Sequence, residues 1–134
     1  MRATRGTFAE ALGLIAASKH ILLTTYRKNG NGVSTPVGSL VHDGTVYVLT
    51  DPGTGKVKRI RNSGAVHIAP CSMGGTVPGG APATPATARL LDAAETGRVQ
   101  DLMTKRFVMY RLVRIADRIL RRRRPLIAIA ITAR

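Results

Sequence analysis

The residues best suited to chemistry lie in the stretch VYVLTDPGTGKVKRIR at positions 46–61, where a β-branched run meets a Gly/Pro turn and then a cluster of cations. The chemistry that fits this order is anion capture. A strand can carry the chain to a sheet edge, and Pro52, Gly53 and Gly55 can turn it. Lys56, Lys58, Arg59 and Arg61 then fall on the first turns of a helix. Backbone N–H groups at a helix start favour anions, and ammonium and guanidinium groups add charge-assisted hydrogen bonds. The pattern differs from the nucleotide-triphosphate loop, because Gly53 and Gly55 stand too close together and Val57 follows Lys56. On the local pattern alone, a bound phosphate and a solvated basic helix start both stay open.

Other reactive arrangements are weak. His20, His42 and His67 are far apart and form no His-x-x-x-His pair, so no metal site is expected. The sequence has no Gly-x-Ser-x-Gly elbow, and Ser72 has no recognisable base near it in sequence, which leaves a Ser/His/Asp hydrolase unsupported. The single cysteine, Cys71, allows neither an intramolecular disulfide nor a cysteine zinc cluster and fits a reducing cytoplasm. Its place before a Gly-rich turn reads as a small apolar filler. His67 reads as a packed or surface histidine.

These candidates need elements to position them. Phe8, Leu12 and Ile15 recur at helical spacing, and Glu10 interrupts what would otherwise look like a secretory leader, so an opening helix is expected. Residues 21–26 read as a strand, followed by two Asn-Gly pairs at 29–32 suited to a tight turn. Strands over 33–41 and 45–50, separated by Asp43-Gly44, complete an expected three-stranded meander. A short basic helix over 56–62 and a strand over 65–70 come next. A Gly/Pro/Thr-rich connector covers 74–85, and a fifth strand runs over 86–91. Helical periodicity then extends over 95–123, with Leu102, Met109, Val113, Ala116 and Leu120 along one face that should cover a sheet. Pro125 ends it, and 126–132 alternates large and small apolar residues as a final, buried strand. Strands outnumber helices. The expected class is mainly β (α+β), a small antiparallel barrel with peripheral helices, in which Tyr47 belongs to the wall.

Length fits one domain over residues 1–134. With 44% hydrophobic residues and no Trp, the core must be aliphatic. Twenty-one Lys and Arg against seven Asp and Glu give a formal charge of +14, which concentrates anionic partners by long-range attraction. Nucleic acid matches this only in charge, since neither zinc-finger spacing nor an aromatic stacking signature is present. Arg121, Arg122, Arg123 and Arg124 offer a contact for nucleic acid or an anionic membrane, or a solvated helix end.

Three blocks in order, LLTTYRKNG at 22–30, STPV at 34–37 and residues 50–61, resemble the flavin- and deazaflavin-binding split β-barrel family related to pyridoxamine 5'-phosphate oxidase. The resemblance is closest to its actinobacterial branch, which uses the 8-hydroxy-5-deazaflavin coenzyme F-420. A fourth block, VHIAPC at 66–71, is similar to the strand after the helix in that branch, and the whole match runs from about residue 8 to about residue 132. The resemblance implies that Thr35, Pro36 and Val37 lie beside the tricyclic ring. It implies that Thr50, Thr54, Gly55 and Lys56 hold the phosphate, with Arg59 and Lys58 beside them. It further implies a cytoplasmic, homodimeric oxidoreductase passing hydride between reduced deazaflavin and an unsaturated organic substrate. An FMN-binding protein of the oxidase branch is the alternative, and a basic nucleic-acid or membrane-binding module without turnover is a third reading. Gly38 and Ser39 stand where many relatives carry a large aromatic residue, which opens the pocket. No proton donor is assigned.

Overall fold

The computed structural model describes residues 7–79, 83–120 and 126–134, apart from the side chains of Met109 and Tyr110. Seven strands, β1 (His20–Tyr26), β2 (Gly32–Gly38), β3 (Leu40–His42), β4 (Thr45–Thr50), β5 (Ala65–Pro70), β6 (Thr84–Leu90) and β7 (Ile127–Ala133), make one sheet in the order β2-β1-β5-β6-β7-β4-β3. Every ladder is antiparallel. Four helices, α1 (Phe8–Ser18), α2 (Gly55–Asn62), α3 (Ala93–Arg106) and α4 (Val108–Ile119), surround it. The sheet curls enough to bring β2 against β4, although the two lie near opposite ends of the order. This is the expected α+β half-barrel.

Alternation along the strands divides two cores. Ile21 and Leu23 of β1, Val46 and Val48 of β4, and Ile129 and Ile131 of β7 face the inner core, which α1 closes with Ala11 and Ile15. Ala128 and Ala130 face the opposite side, where Val99 and Met103 of α3 pack with Leu40 and Leu91. β7 is therefore buried on both faces, as a central strand between β6 and β4 must be. Its small residues let α3 approach the sheet, and the Thr96 hydroxyl accepts the Ala128 N–H at 3.1 Å.

The expected meander is corrected. The segment read as one strand over 33–41 breaks at buried Ser39, whose N–H donates to the Lys19 carbonyl at 3.0 Å. Before the break Val37 packs on the inner core, and just after it Leu40 joins the other core. One stretch of chain thus serves both ends of the sheet, β2 on β1 and β3 on β4. The expected strand over 86–91 begins two residues earlier, at Thr84.

The single helix expected over 95–123 is also corrected. It is two helices, parted at Phe107 in extended backbone (φ −116°, ψ 115°). Phe107 packs on the core under α3, and Arg106 donates from Nη2 to the Ala16 carbonyl at 2.7 Å, tying the break to α1. Leu112, Val113, Ile115, Ile119 and Leu120 of the second half are exposed instead of covering the sheet. The arginines at 121–124 and Pro125 lie outside the described residues. Among the described residues, no helix is long and apolar enough to cross a membrane.

Candidate functional site

The cationic stretch forms where β4 ends. Asp51 organises the turn: its Oδ1 accepts the Gly53 N–H at 2.7 Å, and its carbonyl accepts the Thr54 N–H at 3.2 Å and the Thr54 hydroxyl at 3.0 Å. Thr54 is the N-cap of α2, in extended backbone, but its hydroxyl is turned back to Asp51 and makes no cap to the helix. The first helical bond, Lys58 N–H to the Thr54 carbonyl, spans 3.4 Å. The N–H groups of Gly55, Lys56 and Val57 precede it and have no intrahelical acceptor. Val57 and Ile60 are buried and anchor α2 on the barrel.

Charge at this helix start runs against the helix dipole. The first turn holds no acid and carries Lys56 directly after Gly55. Burial lowers the Lys56 pKa below its ordinary 10.5, the Arg59 guanidinium lowers it further, and Asp51 acts in the opposite direction. Arg59 is held close by a hydrogen bond from Nε to the Thr25 hydroxyl at 2.6 Å. Its guanidinium folds over the helix start, so that a Cβ at Gly55 would lie 2.7 Å from Arg59 Nη1. Two cations and a row of backbone donors therefore converge around a glycine. An anion such as a phosphate fits this arrangement, because it supplies acceptors to the N–H groups and relieves the repulsion between Lys56 and Arg59.

The structure brings Thr54, Gly55, Lys56 and Arg59 together. Thr50 is buried at the end of β4, paired with Ile127, just before the turn. Lys58 is exposed and shares neither the burial of Lys56 nor the tether of Arg59. Thr35 and Val37 occupy the same phase of β2 and are half-buried, opposite Leu23 and Ile21 of β1, while Pro36 is exposed on the other face near Gly75. Among the described residues no hydrogen bond joins Thr35, Pro36 or Val37 to the α2 start. The connection runs through β1: Leu23 pairs with Thr35, and Thr25, two residues on, holds Arg59.

Thr25 and Asp51 are the site residues that sequence reasoning missed. Thr25 had a signal, since it continues the inward phase of Ile21 and Leu23 with a hydroxyl, and a core-facing hydroxyl requires a partner. Asp51 ahead of Pro52 and Gly53 has the composition of an Asx turn. His67 accepts or donates at Nδ1 to the Tyr26 hydroxyl at 2.7 Å. Cys71 is buried, which pushes its thiol above the ordinary 9.0. Tyr47 packs in the wall under α3. Among the described residues no three His, Cys, Asp or Glu side chains gather as a metal site.

Neither a scan against family models nor a search of curated proteins finds a match. Solved structures do match. A Clostridium acetobutylicum protein related to general stress protein 26, of the pyridoxinephosphate oxidase family, is 20% identical, with a TM-score of 0.63 over 94% of this chain and 82% of that one. HutZ, the heme storage protein of Vibrio cholerae, is 14% identical, with a TM-score of 0.68 over 100% and 92%. The conserved hypothetical protein Rv2991 of Mycobacterium tuberculosis is 16% identical, with a TM-score of 0.67 over 100% and 84%. At these identities the likeness is one of fold, and the chain has the split-barrel fold of the pyridoxamine 5'-phosphate oxidase-like and general stress protein 26 proteins.

Proposed function

We propose that this chain is an oxidoreductase that holds a phosphate-bearing flavin, FMN in the first instance, with the phosphate on the start of α2. The observation that carries the reading is the uncapped first turn of α2, where Lys56 is partly desolvated beside Arg59. The fold likeness to the pyridoxinephosphate oxidase family supports the choice of FMN. When bound, such a ring supplies hydride transfer. The chain supplies the rest. Thr54, Gly55, Lys56 and Arg59 bind the phosphate, with Thr50 beneath them and Lys58 adding charge at the rim. Thr35, Pro36 and Val37 shape the ring site, and Gly38 leaves space beside it for substrate.

The deazaflavin coenzyme F-420 is the second reading. It is favoured by the sequence blocks at 22–30, 34–37 and 50–61 and by the +14 charge, which attracts an oligoglutamate tail. A homodimer that completes the ring site with a second copy belongs to the same proposal, and sedimentation velocity tests it. Titration of the purified chain with FMN and, separately, with oxidised F-420 at near-physiological salt tests the cofactor by fluorescence. Tighter binding of FMN is expected, and preference for F-420 moves the chain to the second reading. Binding of neither overturns the redox assignment.

A further inference from the structure

We propose that α4 is an interfacial helix that lays its apolar face on an anionic lipid surface. α4 segregates its residues sharply. At 3.6 residues per turn, Val108, Leu112, Val113, Ile115, Ile119 and Leu120 fall within one arc of about 160°. That arc faces outward: Val108 is 61% exposed, Leu112 54% and Ile119 73%. The helix is held to the protein by its polar side. Arg114 Nη1 donates to the Thr104 hydroxyl at 2.7 Å and to Asp101 Oδ1 at 3.2 Å, both on α3. Using an arginine as the inward anchor and leaving six apolar side chains outside is the reverse of an ordinary surface helix. The apolar surface continues into an open groove of about 670 Å³ between α4 and the sheet, lined by Gly38, Leu49, Met73, Phe107, Val108 and Val113.

Charge selects the occupant. Arg111 and Arg118 are exposed and border the apolar arc on one side, in a chain of formal charge +14. The one acid of α4, Asp117, already has a partner. A second copy docked antiparallel through α4 would line up Arg111 and Arg118 of both copies on one side of the seam, whereas an anionic bilayer offers headgroups to these arginines and an apolar boundary to the arc. Helices of this pattern lie in the plane of the interface, with affinity set by buried apolar area and by attraction to anionic lipid.

Co-sedimentation of the full chain with vesicles tests this. Two compositions are used, phosphatidylcholine alone and phosphatidylcholine mixed with phosphatidylglycerol, each at low and high salt. Binding to the anionic vesicles is expected, weakened by salt and much weaker on the neutral ones. Arg111→Gln with Arg118→Gln should lower the affinity about fivefold per arginine. Leu112→Ser with Ile119→Ser should lower it at least about tenfold. All four positions are exposed, and an unchanged circular dichroism melt checks that the fold persists. Equal binding to both compositions, binding to neither, or wild-type affinity in Leu112→Ser/Ile119→Ser overturns the proposal. So does a drop from dimer to monomer in that variant without lipid, which would make the face an interface between copies. Equal retention of wild type and that variant on a DNA duplex, without vesicle binding, would assign the arginines to nucleic acid and also overturn it.

Discussion

Three helices of this protein begin with a Thr or Asp in extended backbone, yet their first turns are treated in opposite ways. At α1, the Thr7 hydroxyl accepts the Glu10 N–H at 3.1 Å and Glu10 Oε1 accepts the Thr7 N–H at 3.2 Å, a closed capping box. At α3, Asp92 Oδ1 accepts the Glu95 N–H at 2.8 Å, and Glu95 adds negative charge to the first turn. At α2, the Thr54 hydroxyl points back into the preceding turn and the side chains that follow are cations. The same chain can cap a helix well, so the uncapped start of α2 is a departure from its own local rule. Departures of this kind are expected where a ligand completes what the chain leaves open.

Lys56→Ala should have the greatest effect. Phosphate-bearing cofactor should bind about 1.5–3 kcal/mol more weakly, or about 10- to 150-fold, with little change in the melting temperature of the free protein. Isothermal titration beside a thermal melt reads both, and unchanged affinity would sink the assignment of Lys56. Next in size is Asp92→Ala, which should cost about 0.5–2 kcal/mol of stability in a urea titration while leaving cofactor affinity alone. Thr7→Ala should behave in the same way at α1. The most direct exchange is Thr54→Asp, which gives α2 the acid cap that Asp92 gives α3. It should raise stability by about 0.3–1 kcal/mol through the dipole and the adjacent cations, and abolish phosphate binding. Loss of both properties in that variant would show that the turn, not the open helix start, is what matters.

The smallest effect lies in pH. Folded Lys56 gives up its proton below the 10.5 at which the unfolded chain does, so in that window the unfolded state binds more protons and stability rises with pH. Below the folded value both states are charged and the penalty is fully present. Relative to Lys56→Met, the wild type should therefore gain stability as pH climbs toward 10.5, and saturating phosphate should flatten that difference.

Much of this was legible locally. The periodic spacing of Phe8, Leu12 and Ile15 located α1, and the Gly/Pro turn before Lys56 located the α2 start to within a residue. The strand over 65–70 coincides with β5 for the same reason, an apolar run between turn signals. What was not legible depends on pairing between distant residues. Nothing near Ser39 announces that the chain changes cores there, because its N–H is taken by Lys19 from across the fold. The break at Phe107 is set by cores and carbonyls that α3 reaches only after folding, and the helical periodicity runs through it unaltered. The hydrogen bond between Thr25 and Arg59 bridges two elements whose adjacency follows from the curl of the sheet.

The position of β7 has a consequence for synthesis. Five strands of the sheet, from β1 to β6 without the short β3, are translated before Ile127, yet β4 and β6 each pair with β7. Until then those two strands present open backbone edges and β4 has only three-residue β3 beside it. The nascent chain therefore spends the translation of two whole helices with its barrel unsealed. Open edges of this kind are the ones that can pair with a neighbouring chain.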